Sequence, residues 1–247
     1  MKIRRFFLIT AVLLSGKTVF AESNTGSTIN FFSPEKRSVT FESGLLISSG
    51  TDNRINSFGV DFGTCLDKKE FVTSAGIRFS SEQMNFTHET VYWPTINEKF
   101  NIGTGLIFHY CNYYSYFSEI DFLTGLYFRY DNLRFFTFDF SLLYMGKSAS
   151  ISAKSGNLPW LYNNDLGLKI AFGFRPFDKF SFNIKFASYS YYHYLLFFAP
   201  DTEFTVSYKL NDNVQAGLNL NIQYVDLFTL SSNFSSYTIR TFVKMEM

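Results

Sequence analysis

From residue 38 to residue 247, apolar and polar positions alternate with a period of two in one segment after another. That period is the mark of an extended strand, whose successive side chains point to opposite faces. Val39, Phe41, Leu45 and Ile47 share a face opposite Glu42 and Gly44, and Phe58, Val60 and Phe62 repeat the pattern opposite Asp61. Phe71 to Phe79 opposes Ser74, Gly76 and Arg78; Phe100 to Tyr110 opposes Asn101, Gly103, Gly105 and His109. Ile120 to Tyr130 carries Asp121 and Arg129 on its polar face, and Phe136 to Tyr144 carries Asp139. Leu166 to Phe174 opposes Lys169, Phe180 to Phe186 opposes Asn183 and Lys185, and Phe204 to Leu210 opposes Glu203 and Lys209. Val214 to Tyr224 opposes Asn219 and Asn221, and Tyr237 to Met247 opposes Arg240 and Lys244. Met84 to Trp93 alternates poorly; with it included the chain predicts about twelve strands, with ten or fourteen possible.

The two faces differ in size as well as polarity. Ten glycines (44, 59, 63, 76, 103, 105, 125, 167, 173 and 217) fall on the charged face, while the other face is bulky along its length. A soluble sandwich or lipocalin-like barrel would turn its apolar face inward and mix large with small residues to pack it. A bulky apolar face opposed by a small, charged one is inside out, and predicts an all-β fold: a closed antiparallel transmembrane β-barrel standing in lipid. Glycines on the inner face suggest free space in the lumen.

The connections support the same reading. Tight polar turns at Asp67–Glu70, Pro94–Glu98, Asp131–Arg134, Arg175–Lys179 and Asn211–Asn213 interleave with longer links at Asn112–Ser118, Gly146–Asn163, His193–Pro200 and Asp226–Ser235. Short turns on one side and long loops on the other predict a periplasmic rim of turns, with both termini periplasmic for an even strand count. Twelve of the sixteen tyrosines cluster at the long-loop ends, where amphipathic rings belong at a membrane–water interface. Phe71, Phe100, Phe136, Phe180 and Trp93 are expected to form the second girdle.

Residues 1–21 read as a signal peptide: Lys2, Arg4 and Arg5 precede the apolar run Phe6 to Leu14 and a Val19-Phe20-Ala21 cleavage site. Residues 22–37 have no periodicity and are expected to be a periplasmic segment ahead of the barrel at 38–247. Mean hydropathy is only −0.01 despite 32 Phe and 16 Tyr, and no apolar run approaches the roughly 20 residues of a helical span. A net charge of +1 gives no electrostatic reason for a nucleic-acid partner. On these residues the chain resembles the bacterial outer-membrane β-barrel proteins as a class. Its last strand, Tyr237, Ile239, Thr241, Val243, Met245 and Met247, looks like the terminal insertion signal of that class, although Met247 stands where Phe or Trp is usual. The resemblance implies residence in the outer membrane, contact with lipopolysaccharide or other outer-leaflet lipid, and delivery by the barrel-assembly machinery.

The candidate chemistry is lumenal. Asp139, Lys169 and Lys185 fall near the middle of three successive strands and point inward, so they are expected to meet. They would form either a solute-selecting constriction or a salt-bridge ladder that fills the barrel. With Arg78, Asp121, Arg129 and Arg240 they are the expected pore-lining residues, and the inward bases slightly outnumber the inward acids. Uptake channels for acidic sugars resemble this size class but carry dense arginine tracks, which are missing here. His88 opposite lipid and Thr90 two residues on resemble the His and Ser pair of outer-membrane lipid hydrolases, with Thr in place of Ser. His88, His109 and His193 are too scattered to suggest a metal cluster, no cofactor motif is present, and Cys65 and Cys111 lie too far apart to pair. These features point to a narrow passive pore for small hydrophilic solutes with a mildly basic lumen. The alternatives are surface recognition through Tyr189–Phe198 and Gly146–Asn163 with its Pro159-Trp160, or lipid hydrolysis at His88.

Overall fold

The computed structural model describes residues 38–50, 56–68, 70–81, 83–96, 99–112, 114, 117–132, 135–153, 156–157, 161–188, 200–224 and 234–247. The expected signal peptide and segment 22–37, the aromatic stretch Tyr189–Phe198 and the Pro159-Trp160 pair lie outside them.

The strands are β1 (Ser38–Gly50), β2 (Asn56–Lys68), β3 (Phe71–Ser80), β4 (Met84–Ile96), β5 (Phe100–Asn112), β6 (Phe117–Asn132), β7 (Phe136–Ala153), β8 (Gly156–Asn157), β9 (Leu161–Phe177), β10 (Phe180–Ala187), β11 (Asp201–Lys209), β12 (Val214–Tyr224) and β13 (Phe234–Glu246). Each pairs antiparallel with its sequence neighbour, except that β8 is a two-residue flap on the end of β7, whose own partner is β9. β1 pairs with both β2 and β13, so the twelve long strands close into a barrel without an edge. The ends meet at the rim of short turns, where Val39 and Met247 exchange backbone hydrogen bonds of 3.2 and 2.9 Å.

Side chains sort as the alternation predicts. Leu45, Phe58, Phe122, Leu142, Leu166, Phe172 and Ile184 are among the large apolar residues exposed on the outer face. Phe71, Phe100, Phe136 and Phe180 ring the short-turn rim, and Tyr144 and Tyr162 stand exposed toward the other.

Two expectations are corrected. Gly146–Asn163 is mostly not a loop: the β7–β9 ladder continues through Lys147↔Asn163 to Ala149↔Leu161. The outward residues of this stretch, Gly146, Ser148 and Ser150, are small or polar, so the apolar alternation fades there and the strand is invisible to hydropathy. Trp93 is not a girdle residue but faces the barrel interior at 6 % exposure. It lies beside a register shift in the β4–β5 ladder between Tyr92 and Thr95, the place where Pro94, with no N–H to donate, is tolerated.

The same strand explains its own weak periodicity. Its inward residues are Asn85, Thr87, Glu89, Val91 and Trp93, and its outward ones include His88 and Thr90, so neither face is purely polar or apolar.

Candidate functional site

The interior of the barrel has two unlike halves. On β4 to β7 the inward residues Val91, Trp93, Ile107, Leu123, Tyr127, Leu143 and Met145 form an apolar cluster that also takes in Ala187 of β10. Ile107, Leu123 and Leu143 are at most 1 % exposed. On β10, β12, β1 and β2 the inward residues are polar or small except for the buried Leu46 of β1, and Asn183, Lys185, Gln215, Gly217, Asn221, Glu42, Gly63 and Cys65 are only half-buried. Solvent therefore reaches the wall on that side.

Glycines do not create space in the packed half. They provide seats for large side chains laid against the wall. A Cβ on Gly103 would lie 2.6 Å from the Trp93 ring, and one on Gly105 would lie 2.7 Å from the ring of Tyr127. The two rings meet edge to face at 6.4 Å. Arg129 covers Trp93 from 5.2 Å, and the Lys169 ammonium lies 5.6 Å from the Tyr127 centroid, so these cations cover the apolar layer.

The charged residues pair by register, and this corrects the expected meeting of Asp139, Lys169 and Lys185. Asp139 stands directly opposite Arg129 on β6, whose guanidinium grips it through two bonds of 2.8 and 2.9 Å. Lys185 is directly opposite Glu203 on β11 and bonds it at 2.6 Å. Lys169 lies opposite Ser141 rather than Asp139, and its ammonium crosses the lumen from β9 to Glu89 on β4 at 3.1 Å. Arg240 of β13 grips Asp61 of β2 at 2.6 and 2.8 Å and also pairs with Glu42 of β1, while Arg78 lies 3.7 Å from Asp61. A near-planar fork matches a carboxylate, which is why arginine holds the two tightest clusters.

Asp121 faces inward but is sealed in the packed half at 1 % exposure, bonded to His109 at 3.0 Å. The inward face also carries the acids Asp67, Glu89, Glu119, Asp131, Asp201 and Glu246 and one further base, Lys147. The mild excess of bases in the lumen therefore does not hold among the described residues. Glu89 was hidden by the weak alternation of β4, and Glu119 and Lys147 by their position beyond the apolar part of their strands.

Between the two halves lies a cavity of about 50 Å³, bordered by Cys65, Asp67, Ser74, Glu89, Trp93, Tyr127, Arg129, Asp139 and Lys169. Of the expected pore-lining residues, Arg129, Asp139 and Lys169 border this cavity and Lys185 does not. Cys65 and Cys111 are not joined in a disulfide, and the Cys111 thiol donates to Gln83 Oε1 at 3.4 Å. On the outer face His88 Nε2 lies 3.0 Å from Thr90 Oγ1, which lies 3.0 Å from Thr73 Oγ1. That chain carries no acidic partner among the described residues.

No protein-family model matches the chain, and no curated protein matches it in sequence. Solved structures do resemble it. The NanC porin aligns with a TM-score of 0.60 at 12 % identity, over 82 % of this chain and 98 % of that one. An outer-membrane channel from Pseudomonas putida F1 aligns at 0.56 and 9 % identity, over 90 % and 100 % of the two chains. The KdgM porin, solved in complex with disordered oligogalacturonate, aligns at 0.52 and 11 % identity, over 83 % and 98 %. At these identities the likeness is one of fold, and it agrees with the lipid-facing band and the closed ring of strands: the chain is a bacterial outer-membrane β-barrel of twelve strands.

Proposed function

We propose that the barrel is a narrow passive pore for small hydrophilic solutes, running off-axis along the polar wall of β10 to β13, β1 and β2. The observation that carries this reading is the set of half-buried inward residues on that wall, Asn183, Lys185, Gln215, Gly217, Asn221, Glu42 and Gly63, interrupted by the buried Leu46 and Phe242, while the opposite wall holds the buried apolar cluster. Inward charges on either side of the passage are held in pairs, so the passage offers hydrogen-bonding groups more than a net field. The porins and the channel that share the fold support transport as the general role.

Recording single channels from refolded full-length protein in planar bilayers tests this. Small open steps with little ion preference are expected. Trp93→Ala should enlarge them, because it empties the seat on Gly103 and joins the neighbouring cavity to the passage. Silence from both proteins would remove the pore reading and leave a plugged barrel.

The same reading puts the rim of short turns and both ends of the barrel in the periplasm. An epitope tag in the Asp131–Arg134 turn should be hidden on intact cells and revealed when the outer membrane is opened. Labelling of intact cells would reverse the orientation.

A further inference from the structure

We propose that His109, Glu119 and Asp121 form a binding site for one divalent cation of the zinc type, set in the packed wall between β5 and β6. Register brings them together: His109 stands directly opposite Asp121, and Glu119 follows two residues before Asp121 on the same inward face. One ligand atom from each lies within 4.8 Å of the others, and none of the three residues is more than 1 % exposed.

Two carboxylates so close in a dry pocket repel unless something positive sits between them. Lys147 supplies one charge, its ammonium 2.8 Å from Glu119 Oε1. Arg78, the other nearby base, is drawn to Asp61. Glu119 Oε2 and Asp121 Oδ1 are buried and meet no hydrogen-bond donor, and the amide of Asn85, 1 % exposed on the adjoining inward face of β4, is likewise unbonded at both atoms. Oxygens left in that condition call for a proton or a cation.

The donor set favours the cation. One imidazole and two carboxylates suit a borderline ion such as Zn²⁺ better than Ca²⁺, which takes six to eight oxygens. His109 Nδ1 and Asp121 Oδ2 now share a direct hydrogen bond of 3.0 Å and would part by a few tenths of an ångström, to roughly 3.4 Å, to hold one tetrahedral zinc ion at about 2.1 Å. Lys147 is the built-in competitor: its ammonium occupies the position of a counter-ion on Glu119, and an entering metal would displace it. Such an ion would tie β5 to β6 above the apolar cluster.

The test is zinc titration of the tag-free, full-length barrel in detergent after chelator treatment, by calorimetry and by metal content after dialysis. Folding of every variant is checked by its heat-modifiable mobility on a gel. The wild type is expected to take up one Zn²⁺ per chain and to melt several degrees higher with it. His109→Gln and Asp121→Asn should each weaken uptake at least about tenfold, on the scale of losses seen when metal-site partners are removed. Lys147→Met should bind more tightly than wild type, an outcome that surface adsorption of zinc would not produce. Lack of stoichiometric uptake by both wild type and Lys147→Met would overturn the proposal in favour of a shared proton. Uptake undiminished in the folded Asp121→Asn variant would overturn it in favour of an adventitious ion only.

Discussion

Replacing Arg240 by methionine should destabilise the barrel by about 3–5 kcal/mol, the range expected when one partner of a buried ion pair is removed. Arg240 is 7 % exposed and Asp61 2 %, and the guanidinium is shared between Asp61 and Glu42. Methionine keeps an unbranched apolar stem of similar course but leaves both carboxylates facing each other across β1 and β2, with only Arg78 at 3.7 Å to answer Asp61. Urea titration in lipid vesicles, followed by tryptophan fluorescence, measures the loss. Adding Asp61→Asn should recover part of it, since the second change removes one of the stranded charges. A loss below about 1 kcal/mol would mean that the cluster is solvated like a surface pair.

The second large effect concerns the lipid face and depends on depth. Leu142 lies six residues into β7, opposite Leu126 and Leu168, and is 45 % exposed on the outside. Leu142→Arg places a charge near mid-bilayer and should cost roughly 2–4 kcal/mol. Phe138 is only two residues from the turn end of the same strand, so Phe138→Arg can reach the interface and should cost about 1 kcal/mol or less beyond its lost packing. Asn221→Arg, inward beside Asp201, should be milder than Leu142→Arg. Refolding yields and urea midpoints in vesicles rank the three. Equal losses for Leu142→Arg and Asn221→Arg would contradict the assignment of faces.

Much of this barrel is legible in the sequence because lipid imposes a simple rule on every second residue. Phe58, Leu106, Phe122 and Leu166 had to be apolar whatever stood behind them, and their period gives away the strands. The interior obeys no such rule. Ile107, Leu123 and Leu143 face inward, as Glu119 and Lys147 do, because a lumen can be packed, charged or wet at different points of one wall. Trp93 reads as a girdle residue until the register shift beside it is known, and its seat on Gly103 belongs to another strand. The pairing of Lys169 with Glu89 is beyond sequence for a geometric reason: the two residues lie on strands that are not neighbours and meet only because the barrel closes. Direct cross-strand pairs, Lys185 with Glu203 and Arg129 with Asp139, become readable once register is fixed.

The lopsided interior also bears on how the chain assembles. The apolar cluster draws every member from residues 91 to 187, whereas the seam joins β1 to β13 across nearly the whole chain. Closing so long a loop costs more entropy than zipping adjacent hairpins, and the burial within the cluster does not have to wait for it. The middle strands can therefore gain their dry packing as a curved, open sheet while both terminal strands are still unpaired. Arg240 then acts late, as the charge that draws β13 onto β1 and β2, so a defect there should leave an inserted sheet with an unsealed seam rather than a chain that never leaves water.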